Sequence, residues 1–252
     1  MNLSSRTVTK IALPLVIAAG LGFAYAPVSQ IADNPFTPSR AFAAASTQKT
    51  ATASDCIKVS VGSFSVTFPE EFEASSSNDV RKDAVLGLYS KLDEENNTGT
   101  LAAIFTASDM KGTITDPIMA ESTLAAIPML FKVAGSDCTL VSDIYETRTD
   151  SGDYLYFSFA QDSKGKGGCV FLAVDDEGTP FMMFMNGVTD TDEATADYIT
   201  QLVAVARSVT GGVQMKGLAD DQLDIALLTK KENSSQDSAK EDISKILSEL
   251  LD

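Results

Sequence analysis

The stretch that most limits how this chain can fold is 138–186, which reads as four strands joined by tight turns. The strands are CTLVSDIYETR, YLYFSFAQD, CVFLAV and FMMFMN, and between them stand TDSGD, SKGKGG and DDEGTP. Each connector is short and polar, with the Gly, Asp or Pro that turns select. This order predicts one antiparallel meander. In 154–159, Leu155, Phe157 and Phe159 alternate with Tyr154, Tyr156 and Ser158. In 169–174 and 181–185 every residue is apolar, the pattern of strands covered on both faces. The fold class that follows is α+β: an antiparallel β-sheet meander with helices on both faces, a three-layer sandwich.

Two covering helices are signalled on either side of the meander. Asp116 and Pro117 form a helix start, an acceptor at the cap and then proline at the first helical position. Leu124, Ile127 and Phe131 give it an apolar stripe, and Pro128 should kink or end it. The second helix is expected over 189–210. Thr189 or Asp190 caps it with Asp192 or Glu193 three residues on, Tyr198, Leu202, Val205 and Val209 repeat at helical spacing, and Gly211 and Gly212 terminate it.

Ahead of these, CIKVSV and SFSVTF around Gly62 and Ser63 predict a hairpin, stopped by Pro69. The polar run 70–83 reads as a loop. Segments 84–92 and 100–106 flank the acidic tip 93–99 and read as a second hairpin. Leu86, Leu88 and Leu92 fit a helix over 84–92 almost as well.

The N-terminus is an export signal in composition. Arg6 and Lys10 precede IALPLVIAAGLGFAYA at 11–26, an apolar run short for a bilayer span and weakened by Pro14, Gly20 and Gly22. Two sites match the small-x-small cleavage rule: after Ala43, which is favoured, and after Ala26, where Pro27 follows unfavourably. The expected organisation is a signal peptide over 1–43, a polar linker over 44–54, one α+β domain over 55–212 and a C-terminal extension over 213–252. In that extension Ile243, Ile246, Leu247, Leu250 and Leu251 make one apolar face on a short final helix. A signal of this length points to secretion or cell-surface display by a Gram-positive bacterium.

Charge narrows the partners. The chain has 19 basic and 35 acidic residues, and removing 1–43 leaves 16 against 34. So negative a surface repels phosphate backbones and anionic headgroups, so neither nucleic acid nor stable membrane contact is expected once the signal is gone. The 252 residues include no histidine, which excludes Ser-His-Asp and Cys-His catalysis and His-ligated zinc. The balance stands against an enzyme, and no cofactor is indicated.

The phrase SFSVTFPEEF at 63–72, then a kinked helix, an antiparallel meander and a helix ending VARSV at 205–209, is similar to the PsbP-like fold family. That family is shared by a photosystem subunit, the yeast Ran-binding protein Mog and secreted bacterial lipoproteins of unknown role. The resemblance covers 54–211. It implies an antiparallel sheet between helices and a binding or assembly role without known catalysis. The family has no shared active-site motif, so no functional residue carries over.

Candidate sites are few, and no catalytic, cofactor or metal residue is assigned. In the predicted meander Cys138 and Cys169 begin the first and third strands, about 10 Å apart at two strand spacings and beyond disulfide reach. A bridge from Cys56 to Cys138 or Cys169 remains, provided that the N-terminal hairpin packs beside them. The alternative is three buried reduced cysteines. Asp190 to Glu193 reads as helix capping and not as a calcium loop, since it lacks the loop glycine and distal glutamate. Lys164 to Gly168 is a hairpin turn without the helix that a phosphate loop requires. The run from Phe181 to Met185 is a buried strand before it is a Met-rich binding surface. The carboxylates at 93–95, 175–177 and 220–221 read as solvated loop tips. The function expected is a secreted, non-enzymatic binding or assembly module for an unknown protein or small ligand. A hydrolase using carboxylates only and a self-associating cell-surface structural protein are the alternatives.

Overall fold

Alternation of Val59, Val61, Phe64, Val66 and Phe68 with Lys58, Ser60, Ser65 and Thr67 folds the start of the domain into a hairpin of β1 (Ile57–Val61) and β2 (Phe64–Phe68). Gly62 turns it with φ of 58°, where glycine carries no Cβ penalty. The computed structural model describes residues 56–93, 98–131, 139–163, 167–188, 192–219 and 221–229. The expected signal peptide 1–43, linker 44–54 and final helix around 243–251 lie outside these residues.

The rest of the chain builds one large sheet. Residues 70–83, expected as a loop, contribute β3 (Glu73–Ala74) and β4 (Asp79–Val80), both paired with β5 (Ala84–Asp93). No two-residue strand has a readable period. Side chains fix this stretch instead: Phe72 is buried with its ring 5.5 Å from that of Phe68. Asn78 bonds both Leu88 N and Leu88 O, standing in for a strand rung. β5 pairs with β6 (Thr98–Ala107), so the strand reading of 84–92 holds and the helical one does not.

Asp116 caps α1 (Pro117–Leu130) by accepting the Met119 N–H at 3.0 Å. Leu124, Ile127 and Phe131 are buried as expected, but Pro128 does not stop the helix, which runs on to Leu130. The meander follows. Its first strand is broken into β7 (Thr139–Leu140) and β8 (Tyr145–Arg148), both pairing with β9 (Tyr154–Gln161). Between them, 141–144 stands opposite only Ser158 and Phe159, a bulge set by polar side chains. There Ser142 Oγ accepts the Phe159 N–H at 3.0 Å and Ser158 Oγ donates to Ser142 O at 3.0 Å. β10 (Gly167–Val174) and β11 (Pro180–Val188) complete the run, and the described side chains of 169–174 and 181–185 are all buried.

α2 (Asp192–Arg207) begins beyond 189–191, so the expected cap lies outside the described residues. It ends at Arg207, earlier than the expected Thr210. Ser208 leaves the helix to bond β2: its Oγ accepts the Thr67 N–H at 2.9 Å and lies 3.0 Å from Thr67 O. Thr210 forms an isolated bridge to Ser65. The described part of the expected extension packs on the sheet. Val213 N–H donates to Val174 O, β12 (Asp221–Gln222) pairs with β8, and Ile225 in the 3-10 turn Ile225–Thr229 is fully buried.

The strand order is β12-β8-β9-β10-β11-β6-β5-β3. The β12–β8 pair is parallel, so the sheet is mixed where a purely antiparallel one was expected. Alternate residues of the central strands enter two clusters. Phe157, Phe159, Cys169, Phe171 and Met183 join residues of β1, β2, α2 and the 3-10 turn. Tyr156, Val170, Leu172, Met182 and Phe184 join residues of α1 with Leu218. The chain is thus mixed α/β, mostly sheet, with two α-helices among the described residues.

Candidate functional site

The outward side of α1 departs most from what a soluble surface needs. The sequence PIMAESTLAAIPML carries one charge, Glu121. A surface helix ordinarily sets a polar face against its buried stripe. Here Leu124 and Ile127 face inward, while Ile118 is 74% exposed, Met129 55% and Leu130 41%. Glu121 and Ala125 are the other exposed positions of the helix.

The sheet on the α1 side also carries an exposed apolar residue. Leu86 of β5 stands opposite Phe105 of β6, which stands opposite Met182 of β11. Met182 is fully buried, Phe105 half-buried and Leu86 45% exposed, so cover on this face thins toward β5. α1 packs on β7, β9, β10 and β11. Both sheet edges end in two-residue strands, β12 on one side and β3 on the other. Edges this short offer little backbone for adding a strand. In this sheet, the open surface among the described residues is therefore a face and not an edge.

One buried polar cluster lies at the β8 side. The Tyr156 hydroxyl accepts the Met215 N–H at 2.6 Å and donates to Glu146 Oε2 at 3.2 Å, while Glu146 Oε1 accepts Gln222 Nε2 at 2.9 Å. Burial pushes the Tyr156 phenol well above its ordinary value, and the Glu146 carboxylate adds to that rise. Held as a neutral phenol with its partners in place, Tyr156 clamps residues 215–222 onto the sheet.

The sites singled out in the sequence fall elsewhere. Cys56 is an exposed free thiol and Cys169 a fully buried one, while Cys138 lies outside the described residues. Asp190 also lies outside them, as do Lys164 to Lys166, Glu94, Glu95 and Asp220. Gly167 and Gly168 are strand residues of β10. A Cβ on Gly168 would come within 2.2 Å of Met185 O, so that glycine serves strand packing. Phe181 to Met185 is core.

Asp175 corrects the reading of 175–177 as solvated tips. It is buried, its Oδ1 accepts the N–H groups of Glu177 and Thr179, and its Oδ2 accepts the Ser63 hydroxyl at 2.8 Å. Glu177 is exposed and pairs with Lys111. Among the described residues no group of three His, Cys, Asp or Glu is placed to hold a metal ion, and no helix is long and apolar enough to cross a membrane. The α1 surface went unread in the sequence because its inward stripe satisfied the helical pattern; the signal was the single charge in fourteen residues.

No protein-family model matches the chain, and no curated protein matches it. Among solved structures, the chain is similar to the solution structure of cyanobacterial PsbP (CyanoP) from Synechocystis sp. PCC 6803, with a TM-score of 0.40 and 10% identity over 66% of this chain and 97% of that one.

Proposed function

We propose that the chain is the export precursor of a secreted, non-enzymatic binding module that meets a protein partner through the outward side of α1. The observation that carries this reading is the exposure of Ile118, Met129 and Leu130 on a helix with one charge. Exposed apolar surface costs solubility, and contiguous patches of it mark interaction sites. Export rests on the basic start and apolar run of 1–26, and a bacterial host of the Gram-positive kind on the length of the signal. The finer architecture we propose is a PsbP-like three-layer sandwich. α1 forms one outer layer, and α2 with the β1–β2 hairpin forms the other.

Affinity capture from the native extracellular milieu tests the function. The mature chain is expected to retain a component that the Ile118→Asp, Met129→Asp double variant loses while remaining folded by circular dichroism. Equal capture by both chains overturns the α1 surface as the binding site.

A further inference from the structure

We propose that the free edge of β1 takes up an extended peptide of a protein partner as a third strand of the hairpin, with an acidic side chain of that peptide beside Lys58. This goes beyond the α1 surface and does not depend on it. The hairpin packs in the buried cluster that holds α2 and not in the one that holds α1.

Register decides which backbone groups are free. Gly62 and Ser63 make a two-residue turn, so Val61 and Phe64 close it as a hydrogen-bonded pair. Bonded pairs then recur at Val59 with Val66 and at Ile57 with Phe68. The residues between them, Lys58 and Ser60 on β1 and Thr67 and Ser65 on β2, turn their N–H and C=O groups away from the hairpin. On β2 these groups are taken up. Thr210 N–H donates to Ser65 O at 2.9 Å and Thr210 Oγ1 accepts the Ser65 N–H at 3.2 Å, while Ser208 Oγ meets both groups of Thr67. On β1 the same groups of Lys58 and Ser60 have no partner among the described residues, and both residues are exposed.

An edge strand is ordinarily blunted by shortness, proline, a bulge or charge. β1 has five residues in unbroken register and no proline, which leaves charge alone. That charge is Lys58, the one charged residue in 57–68, and it forms no ion pair among the described residues. Its sign selects the occupant. In the register that pairs the free groups of two copies with each other, the two Lys58 side chains become diagonal neighbours of like charge. A carboxylate beside Lys58 is favoured instead. Alternation supplies the rest of the pattern. Side chains of the added strand next to Lys58 and Ser60 stand in solvent, and the one between them lies beside the buried Val59. The peptide recognised is therefore extended, with an apolar residue between an acidic and a polar one.

The test titrates the isotope-labelled mature chain with the peptide acetyl-VSVDV-amide to millimolar concentration and follows backbone amides by NMR. The Lys58 and Ser60 amides are expected to shift and to gain protection from exchange. A twin peptide methylated at its Ser and Asp nitrogens should leave them unchanged. Lys58→Glu should weaken the peptide about fivefold and favour acetyl-VSVKV-amide instead. Ser60→Pro removes a free donor and no bond to β2, so binding should vanish while circular dichroism is kept. If that variant unfolds, the methylated twin and Lys58→Glu decide. The Ile118→Asp, Met129→Asp variant should bind the peptide as the parent chain does. No shift at the two amides, equal binding of the methylated twin, or an unchanged preference in Lys58→Glu overturns the proposal. Protection of both amides without peptide, in a species of twice the mass, overturns it in favour of a second copy as the occupant.

Discussion

Tyr156 and Met215 meet through one atom: the Tyr156 hydroxyl oxygen accepts the Met215 backbone N–H at 2.6 Å, while its own proton goes to Glu146. The chain after α2 is held to the sheet by that phenol. Replacing Tyr156 by Phe leaves the Met215 N–H and one Glu146 oxygen without this partner in a buried setting. The expected loss is about 1–3 kcal/mol of unfolding free energy. Urea denaturation measures it, and faster proteolysis within 213–229 localises it.

Ser63 and Asp175 bind the β1–β2 turn to the β10–β11 turn across 112 positions of sequence. Asp175→Ala removes the acceptor for two backbone N–H groups as well as for Ser63, whereas Ser63→Ala removes one hydroxyl. The aspartate variant is expected to lose about 2–4 kcal/mol and the serine variant about 1 kcal/mol. Equal midpoint shifts in denaturant would show that the two turns, and not the intraturn bonds, carry the effect.

Alkali is expected to weaken the fold in a defined window. Burial raises the phenols of Tyr89, Tyr156 and Tyr198 above the tyrosine value of 10.0. Lys91 is also raised: burial lowers it, but bonds and charge from Glu71 and Asp197 outweigh that. Below these ordinary values folded and unfolded chains are equally protonated, and the groups add no pH dependence. Above them the unfolded chain releases protons that the folded chain keeps, so stability falls as pH rises. Denaturation midpoints should hold steady below these ordinary values and drop from about pH 10 upward, with a shallower drop in Tyr156→Phe.

The cysteines should differ sharply in reactivity. Desolvation raises the buried Cys169 thiol well above its ordinary value, while Cys56 is exposed. Since the thiolate is the reactive form, iodoacetamide should modify Cys56 in the reduced native protein and spare Cys169 until unfolding. Peptide mapping reads both sites. The same digest without reductant reports whether Cys56 is linked to Cys138 or Cys169.

The sequence carried the centre of the sheet well and its margins poorly. Apolar runs such as CVFLAV and FMMFM read as strands because burial on both faces leaves no position for a polar residue. The cap at Asp116 was legible because one side chain decides it locally. The bulge between Leu140 and Tyr145 was not: Ser142 and Asp143 look like ordinary strand polar positions until Ser158 comes opposite. β3 and β4 depend on Phe72 and Asn78 reaching other elements, which no local period reports. The α1 surface was present in the composition of PIMAESTLAAIPML, but its meaning appeared only once the buried side of the helix was known.

The seam between β6 and β11 has a kinetic consequence. The β5–β6 hairpin and the β8-to-β11 meander can each form from neighbours in sequence. They become one sheet only where β6 meets β11, a join at which Thr106 bonds Pro180 across 74 positions. Closing so long a loop late makes sheet formation a two-part assembly with high contact order, slower than either hairpin by itself. Until the parts meet, β11 presents an open edge whose stretch Phe181 to Met185 is wholly apolar. The interval before that docking is when the chain is most exposed to pairing with a neighbour instead of with itself.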